Sequence, residues 1–494
     1  MTKRRWLVAV GAATLVGFVL RLIGAHESPA GDELYLYALI HNRSLGDTLN
    51  AVINQEKTPP LGFVFPWLTA HIGTPYTWMR APSVIAGTAL IPVTALLGRR
   101  TFGMAAGALA GAIIAISPFF VFYGIEARAY SMAALLVTGA AVLLLKATEP
   151  EGRSLDWAGF AGLLLAAMLT HYTTIFAVAT LVVWAFIARP QARKALLFAV
   201  GAAGALFLVW LPSFVTQFGH AGDEARRIAD QAPLAVSTLA RMVSRASIGH
   251  PFVDLDALPG PIGITLFIAG FAIALVSALV QLVQRRSGNG QPPRPSATTW
   301  LIIALALTTL LGLIAASLQP HRSLLLTRNL MASLPAWAIL AGALIASRPR
   351  PLAITSAALV LASLAIGTER ELADFQRPPI GKAAEAVAKR WQPGEAILES
   401  AYATGPPLDQ DLAIHLSASQ RKDLLLTRNV GLKPFAEALK SGRPIFTVTP
   451  IAGYTTVALA PPPEIASRFE RTWWKSWHGL VTVDAVEWTP RSIR

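Results

Sequence analysis

Two short charged clusters stand next to hydrophobic sequence, where charge is costly unless it is used. Gly31-Asp32-Glu33 follows the first apolar run, and Glu56-Lys57-Thr58-Pro59-Pro60-Leu61 comes shortly after it. A carboxylate such as Asp32 or Glu33 can take the proton of an attacking hydroxyl. The same pair can instead cap a helix, since acidic residues complement the positive helix N-terminus. Lys57 offers a compact cation for a phosphate oxygen, and Pro59-Pro60 stiffens the loop that aims it. The plainer reading of Glu56-Lys57 is a surface ion pair of little energetic weight.

A third cluster is Glu126-Ala127-Arg128-Ala129-Tyr130. Its spacing predicts Glu126 and Tyr130 on one helical face at i, i+4, with Arg128 paired either to Glu126 or to a lipid phosphate. Arg80, Arg322 and Arg328 flank apolar runs, where arginines also snorkel. His171 reads first as a satisfied helix-end histidine and only second as a site residue.

The elements that must position these residues are membrane helices. The chain is 54% hydrophobic and 14% charged, and a span needs about 20 apolar residues. Eleven runs qualify, near 6–25, 81–98, 103–121, 129–147, 156–171, 173–188, 195–213, 261–284, 298–317, 329–347 and 351–368. The first, behind Lys3-Arg4-Arg5, lacks a small-residue cleavage site and reads as a retained helix. With a cytoplasmic N-terminus, the short inner loops hold fifteen Lys and Arg, and the longer outer loops 26–80, 122–128, 214–260 and 318–328 hold ten. That bias places the opening clusters and residues 369–494 outside the cytoplasm.

Topology and anionic headgroups therefore account for much of the net charge of +14. No basic run carries interleaved aromatics, so a nucleic-acid partner is not expected. Cysteine is absent, which excludes disulfide and thiolate chemistry. The first outer loop is expected to hold two interfacial helices, from Asp32 to about His41 and from Leu61 to Ile72. Loop 214–260 is arginine-rich (226, 227, 241, 245) and partly helical in expectation. In 369–494, strand-like runs at 396–398 and 445–448 and a helical run at 382–391 predict a small soluble α/β domain. The hexapeptide Leu-Leu-Leu-Thr-Arg-Asn recurs at 324–329 and 424–429, as a coincidence of a leucine-rich chain. The expected class is thus mainly α, with a transmembrane domain over 1–368 and an extracytoplasmic domain over 369–494.

No cluster has zinc-ligand spacing, and no glycine-rich nucleotide loop occurs. Taken in order, Asp32-Glu33 with Tyr35 and Tyr37, Lys57 to Leu61, Arg80-Ala81-Pro82-Ser83, Ser117-Pro118, Glu126 to Tyr130, His171-Tyr172-Thr173, and Arg328 with Leu334-Pro335 form a pattern over roughly 1–345. The chain resembles the GT-C class of membrane glycosyltransferases, in particular bacterial relatives of dolichyl-phosphate-mannose protein O-mannosyltransferases and of lipid A aminoarabinose transferases. Thr58 departs from the pattern of many relatives.

The resemblance implies a polyprenyl-phosphate sugar donor, a lipid, glycan or protein acceptor, and inverting transfer at the outer face of the plasma membrane. It implies neither cofactor nor metal. By position, Asp32 would be the general base and Glu33 its supporting carboxylate. Lys57, Arg128 and Arg328 would hold the donor phosphate, and Glu56 would orient Lys57 or the acceptor. Arg80, Glu126, Tyr130, His171 and Arg322 complete the expected substrate-binding set. The alternatives are a polyprenyl-lipid flippase or transporter, which would carry more charge inside its spans, and a metal-dependent enzyme using a pyrophosphate-linked donor.

Overall fold

Long runs of leucine, alanine and valine fold here as helices, because backbone groups kept from water must bond one another. The computed structural model describes residues 1–219, 221–287, 295–319, 321–399, 411–426, 433–452 and 463–491. They divide into two units, Met1–Ala25 with Leu39–Arg370, and His26–Ala38 with Glu371–Arg494.

In the described residues six helices are long and apolar enough to cross a membrane: Lys3–Gly24, Pro75–Phe102, Tyr130–Ala147, Gly260–Gln284, Ala297–Ala316 and Arg350–Ala373. Two bent pairs bring the total to as many as eight, Met104–Ile116 with Pro118–Ile125 at 60° and Thr174–Ala188 with Pro190–Phe207 at 111°. The protein is a polytopic membrane protein. All eleven expected runs are helical, but length supports fewer crossings. Ser154–Thr170 and Leu334–Ala346 are shorter apolar helices, and the runs at 173–188 and 195–213 are arms of one bent pair. Leu334–Ala346 starts later than expected because Thr327–Leu330 forms a 3-10 turn and Pro335 opens the helix.

Glycines let these helices close. A Cβ on Gly107 would run into the Ala95 carbonyl oxygen, and one on Gly342 would come within 2.5 Å of the Ala106 oxygen. The bend at Ser117 has a specific cause. Pro118 has no N–H for the Ile114 carbonyl. Arg21, fully buried in the first helix, supplies it, donating from Nη2 to Ile114 O at 3.2 Å and Phe120 O at 3.1 Å. Its Nη1 donates to Gly17 O at 2.8 Å and Ala115 O at 3.4 Å. Gly87 and Gly124 make room for it, since a Cβ on either would strike the guanidinium.

The segment 26–80 holds more helix than expected: Asp32–Ile40, Leu45–Gln55, Leu61–Ala70 and the single turn Pro75–Trp78. Leu45–Gln55 was not anticipated, although Ser44 caps it by accepting from the Asp47 N–H at 3.1 Å. Asp32 is the first helical residue rather than the cap, because Gly31 precedes it at φ 52°.

The second unit contains a five-stranded sheet: β1 Ala396–Glu399, β2 Leu424–Leu426, β3 Ile445–Ala452, β4 Phe469–Trp477 and β5 Val481–Pro490, ordered β2-β1-β3-β5-β4. β1 runs parallel to β2 and β3, while β5 pairs antiparallel with β3 and β4. The helix Ile380–Ala388 buries Ile380, Ala383, Ala384 and Val387 against Ile397, Phe446, Val448 and Val483. The two hexapeptide copies have different structures. One ends in the 3-10 turn, and the described part of the other, 424–426, is strand β2; its last three residues lie outside the described ones.

Candidate functional site

The loop that carries Lys57 is held from three directions. Leu45–Gln55 ends at Glu56 in extended conformation, and Pro60 starts Leu61–Ala70. From Leu211–Gly219, the buried Gln217 donates its amide to Val52 O at 3.0 Å and Thr58 O at 2.9 Å. Tyr172 O–H donates to Gln217 Oε1 at 2.5 Å and accepts from Trp210 Nε1 at 3.0 Å. Burial, opposed by the Trp210 N–H, holds the Tyr172 phenol above the ordinary tyrosine range, so it stays a neutral donor. Half-buried Lys57 has no hydrogen-bond or ion-pair partner among the described residues. A cation so held is free to meet an anion.

Gln217 was not found in the sequence, where nothing distinguishes it from a surface glutamine. Gln217→Leu is expected to lower stability in detergent by about 1–3 kcal/mol, because two buried carbonyls lose their donor. Fluorescence-monitored heating measures it, and an unchanged midpoint would show that the loop is held by its prolines alone.

Beside the loop, Arg128 Nη2 pairs with Glu56 Oε2 at 3.5 Å and its guanidinium lies 5.4 Å from the Phe63 ring centre. The expected helical face of Glu126 and Tyr130 is not formed. The helix Pro118–Ile125 stops before Glu126, which is extended at ψ 123°, and a new helix starts at Tyr130. The break lets Arg128 turn to Glu56, and the hydroxyl of Ser83 fixes it by donating to Arg128 O at 3.1 Å. Tyr130 meets Tyr123 edge to face at 5.0 Å and the tilted His171 ring at 5.5 Å, and the Arg328 guanidinium lies 5.8 Å over it. His171 is buried and its Nδ1 bonds the Thr173 hydroxyl at 2.7 Å.

Glu56, Lys57, Arg128, Tyr130, His171 and Arg328 are thus tied to one another or to a shared neighbouring chain segment. Arg80 is fully buried and donates to Ala25 O at 2.9 Å, closing the end of the first helix. Glu126 is buried. Arg322 is exposed and bonds Gln319 at 3.2 Å.

Asp32 and Glu33 belong to the second unit. Glu33 is fully buried and pairs with Arg377 Nε at 3.3 Å. Arg377 also pairs through Nη1 with Glu27 at 3.3 Å, and its backbone N–H donates to the same carboxylate at 3.0 Å. Ser28 Oγ accepts from Gly381 N–H at 2.8 Å. The helix bearing half-buried Asp32 is therefore clamped at its start. Arg377 went unnoticed in the sequence because its partners are 350 residues away for Glu27 and farther from view than any local pattern.

Two cavities open in the first unit. One of about 450 Å³ is almost wholly apolar, lined by residues that include Phe120, Phe267, Phe271, Trp337 and Leu364. The other, of about 220 Å³, is bordered by Tyr123, Arg241, Arg245, Phe252 and Arg328.

Residues 57–213 match the family described as dolichyl-phosphate-mannose-protein mannosyltransferase. The fold is similar to that of ArnT from Cupriavidus metallidurans bound to undecaprenyl phosphate, at 14% identity, with 98% of each chain covered and a TM-score of 0.53. It is also similar to the oligosaccharyltransferase of Archaeoglobus fulgidus tethered to an acceptor peptide, at 12% identity and a TM-score of 0.51, covering 86% of this chain and 64% of that one. No curated protein sequence matches the chain. The resemblance to GT-C class membrane glycosyltransferases thus stands on a matched segment and on a shared fold.

Proposed function

We propose that this chain, with its GT-C class resemblance, moves a sugar from a polyprenyl-phosphate donor to an acceptor hydroxyl at the outer face of the plasma membrane. The carrying observation is Lys57, a half-buried cation without a partner among the described residues, on a locked loop beside the Glu56–Arg128 pair and inside the family-matched segment. The acceptor oxygen bonds to the anomeric carbon while the bond from that carbon to the phosphate oxygen breaks. The hydroxyl proton passes to Asp32, and polyprenyl phosphate leaves with the bonding electrons. Attack opposite the leaving group inverts the anomeric centre. Lys57 and Arg128 offset the charge gathering on the departing phosphate.

The proposed topology has eleven crossings, a cytoplasmic N-terminus, first-loop helices lying along the interface, and an outer domain over 369–494. The apolar cavity suits a polyprenyl tail, which would be held there by close packing, since it already lies in hydrocarbon. Membrane lipids surround the spans.

Lipid mass spectrometry on gently purified protein, with and without EDTA, tests the donor class. A co-purified polyprenyl monophosphate supports it, and its mass names any sugar still attached. A pyrophosphate carrier lost on chelation would replace it with the metal-dependent alternative, and bulk phospholipid alone would favour a transporter. Lys57→Ala is expected to weaken donor binding about tenfold or more, as loss of a charge-assisted bond to phosphate does. Undiminished donor affinity would remove Lys57 from the phosphate site.

A further inference from the structure

The arginines of loop 214–260 are not used by the reaction described above, yet two of them share a cavity. Arg241 and Arg245 lie four apart on the helix Val236–Ile248, hence on one face. Both line the cavity of about 220 Å³, and Arg328 lines it from the 3-10 turn. The volume equals roughly seven waters in the liquid.

Three arginines line one small space: Arg241 is exposed, Arg328 is half-buried, and Arg245 is paired with Asp254 at its edge. Arg245 is partly held, donating to Pro251 O at 3.1 Å and to Asp254 Oδ1 at 2.5 Å. Its buried Nε has no hydrogen-bond partner among the described residues. The Arg241 side chain makes neither hydrogen bond nor ion pair among them. Tyr123 and Phe252 add aromatic walls, the surfaces on which a sugar or a planar group packs. Guanidinium forks match the oxygens of phosphate and carboxylate.

We propose that this cavity is a second anion site, which receives a phosphate or carboxylate group of the acceptor. The word acceptor rests on the transferase reading; the anion site does not. Arg328 joins the two regions, since it lines the cavity and lies over Tyr130. An acidic group in the cavity would bring its neighbouring hydroxyl toward that ring. The acceptor class is therefore an anionic glycan or lipid headgroup.

The test titrates inorganic phosphate into the full-length protein in detergent, with sodium chloride at matched ionic strength as reference, and follows the thermal midpoint. Phosphate is expected to raise the midpoint of the unsubstituted protein and of Lys57→Ala. Arg241→Gln should need about tenfold more phosphate for the same rise, the effect of one charge-assisted bond, and Arg241→Lys should recover part of it. The exposed Arg241 side chain makes no hydrogen bond or ion pair among the described residues, so its substitution is expected to leave folding intact. A response abolished by Lys57→Ala and untouched by Arg241→Gln would overturn the proposal, and so would no response beyond chloride. Phosphatidylglycerol in mixed micelles identifies the source: a larger shift than with phosphate assigns a lipid acceptor, a smaller one a soluble acceptor. Failure of the transferase reading is separable, because polyprenyl phosphate would not co-purify while the phosphate response persisted.

Discussion

Asp32→Asn is expected to slow sugar transfer by about 10²–10⁴-fold, the contribution of a positioned general base. Asparagine keeps the shape of the side chain but cannot accept the acceptor's proton. Asp32 is half-buried in the first turn of Asp32–Ile40, where its charge complements the helix N-terminus by about 0.3–1 kcal/mol. The fold should survive in detergent, and co-purified donor lipid should remain. Turnover at the parent rate, measured by mass spectrometry of the glycosylated product, would sink the assignment. Glu33 acts differently, since its carboxylate is committed to Arg377. In the proposed mechanism it would hold the base in place rather than share the proton.

Arg21→Met is expected to cost on the order of 3–5 kcal/mol, about 1–3 for each buried carbonyl stripped of its donor. Two effects compete. Arginine in a span is expensive, and removing it recovers that desolvation. Against this, the carbonyls of Ile114 and Phe120 lose the donors that Arg21 brings to the Pro118 bend, and hydrocarbon offers no replacement. Methionine fits the channel that Gly87 and Gly124 leave open, so little of the loss is cavity. The second effect wins because several acceptors depend on one guanidinium. The measurement is the thermal midpoint and the yield of monodisperse protein. A variant as stable as the parent would mean that the bend needs no arginine.

What was legible in the sequence followed from local contrast. The spans show by length, and the charged clusters show because charge beside apolar sequence is rare. The α/β character of the C-terminal residues shows through β1, β3 and the helix over 380–388. What was hidden depended on distance or on a break in periodicity. The Glu56–Arg128 pair joins positions 72 apart, and Arg377 reaches back 350. The shared face of Glu126 and Tyr130 assumed one continuous helix, whereas the backbone turns at Glu126. Leu45–Gln55 is short and mixed in composition, and only Ser44 and Asp47 mark its start. The pairing of β4 with β5 around Gly479 was equally obscure, because β4 mixes charges with half-buried Trp473 and Trp477 and exposed Trp474, without alternation.

The clamp of Arg377 on Glu27 and Glu33 has a consequence in time. Glu27 leaves the ribosome early and Arg377 comes 350 residues later. At about 5–20 residues per second, synthesis separates them by on the order of 20–70 s. Throughout that interval the segment bearing Asp32 has no Arg377 to close on, although the helices around it are already being inserted. The newborn protein therefore holds its proposed base unfastened until translation is nearly over, and a chain stalled before residue 377 would occupy the membrane without being able to work.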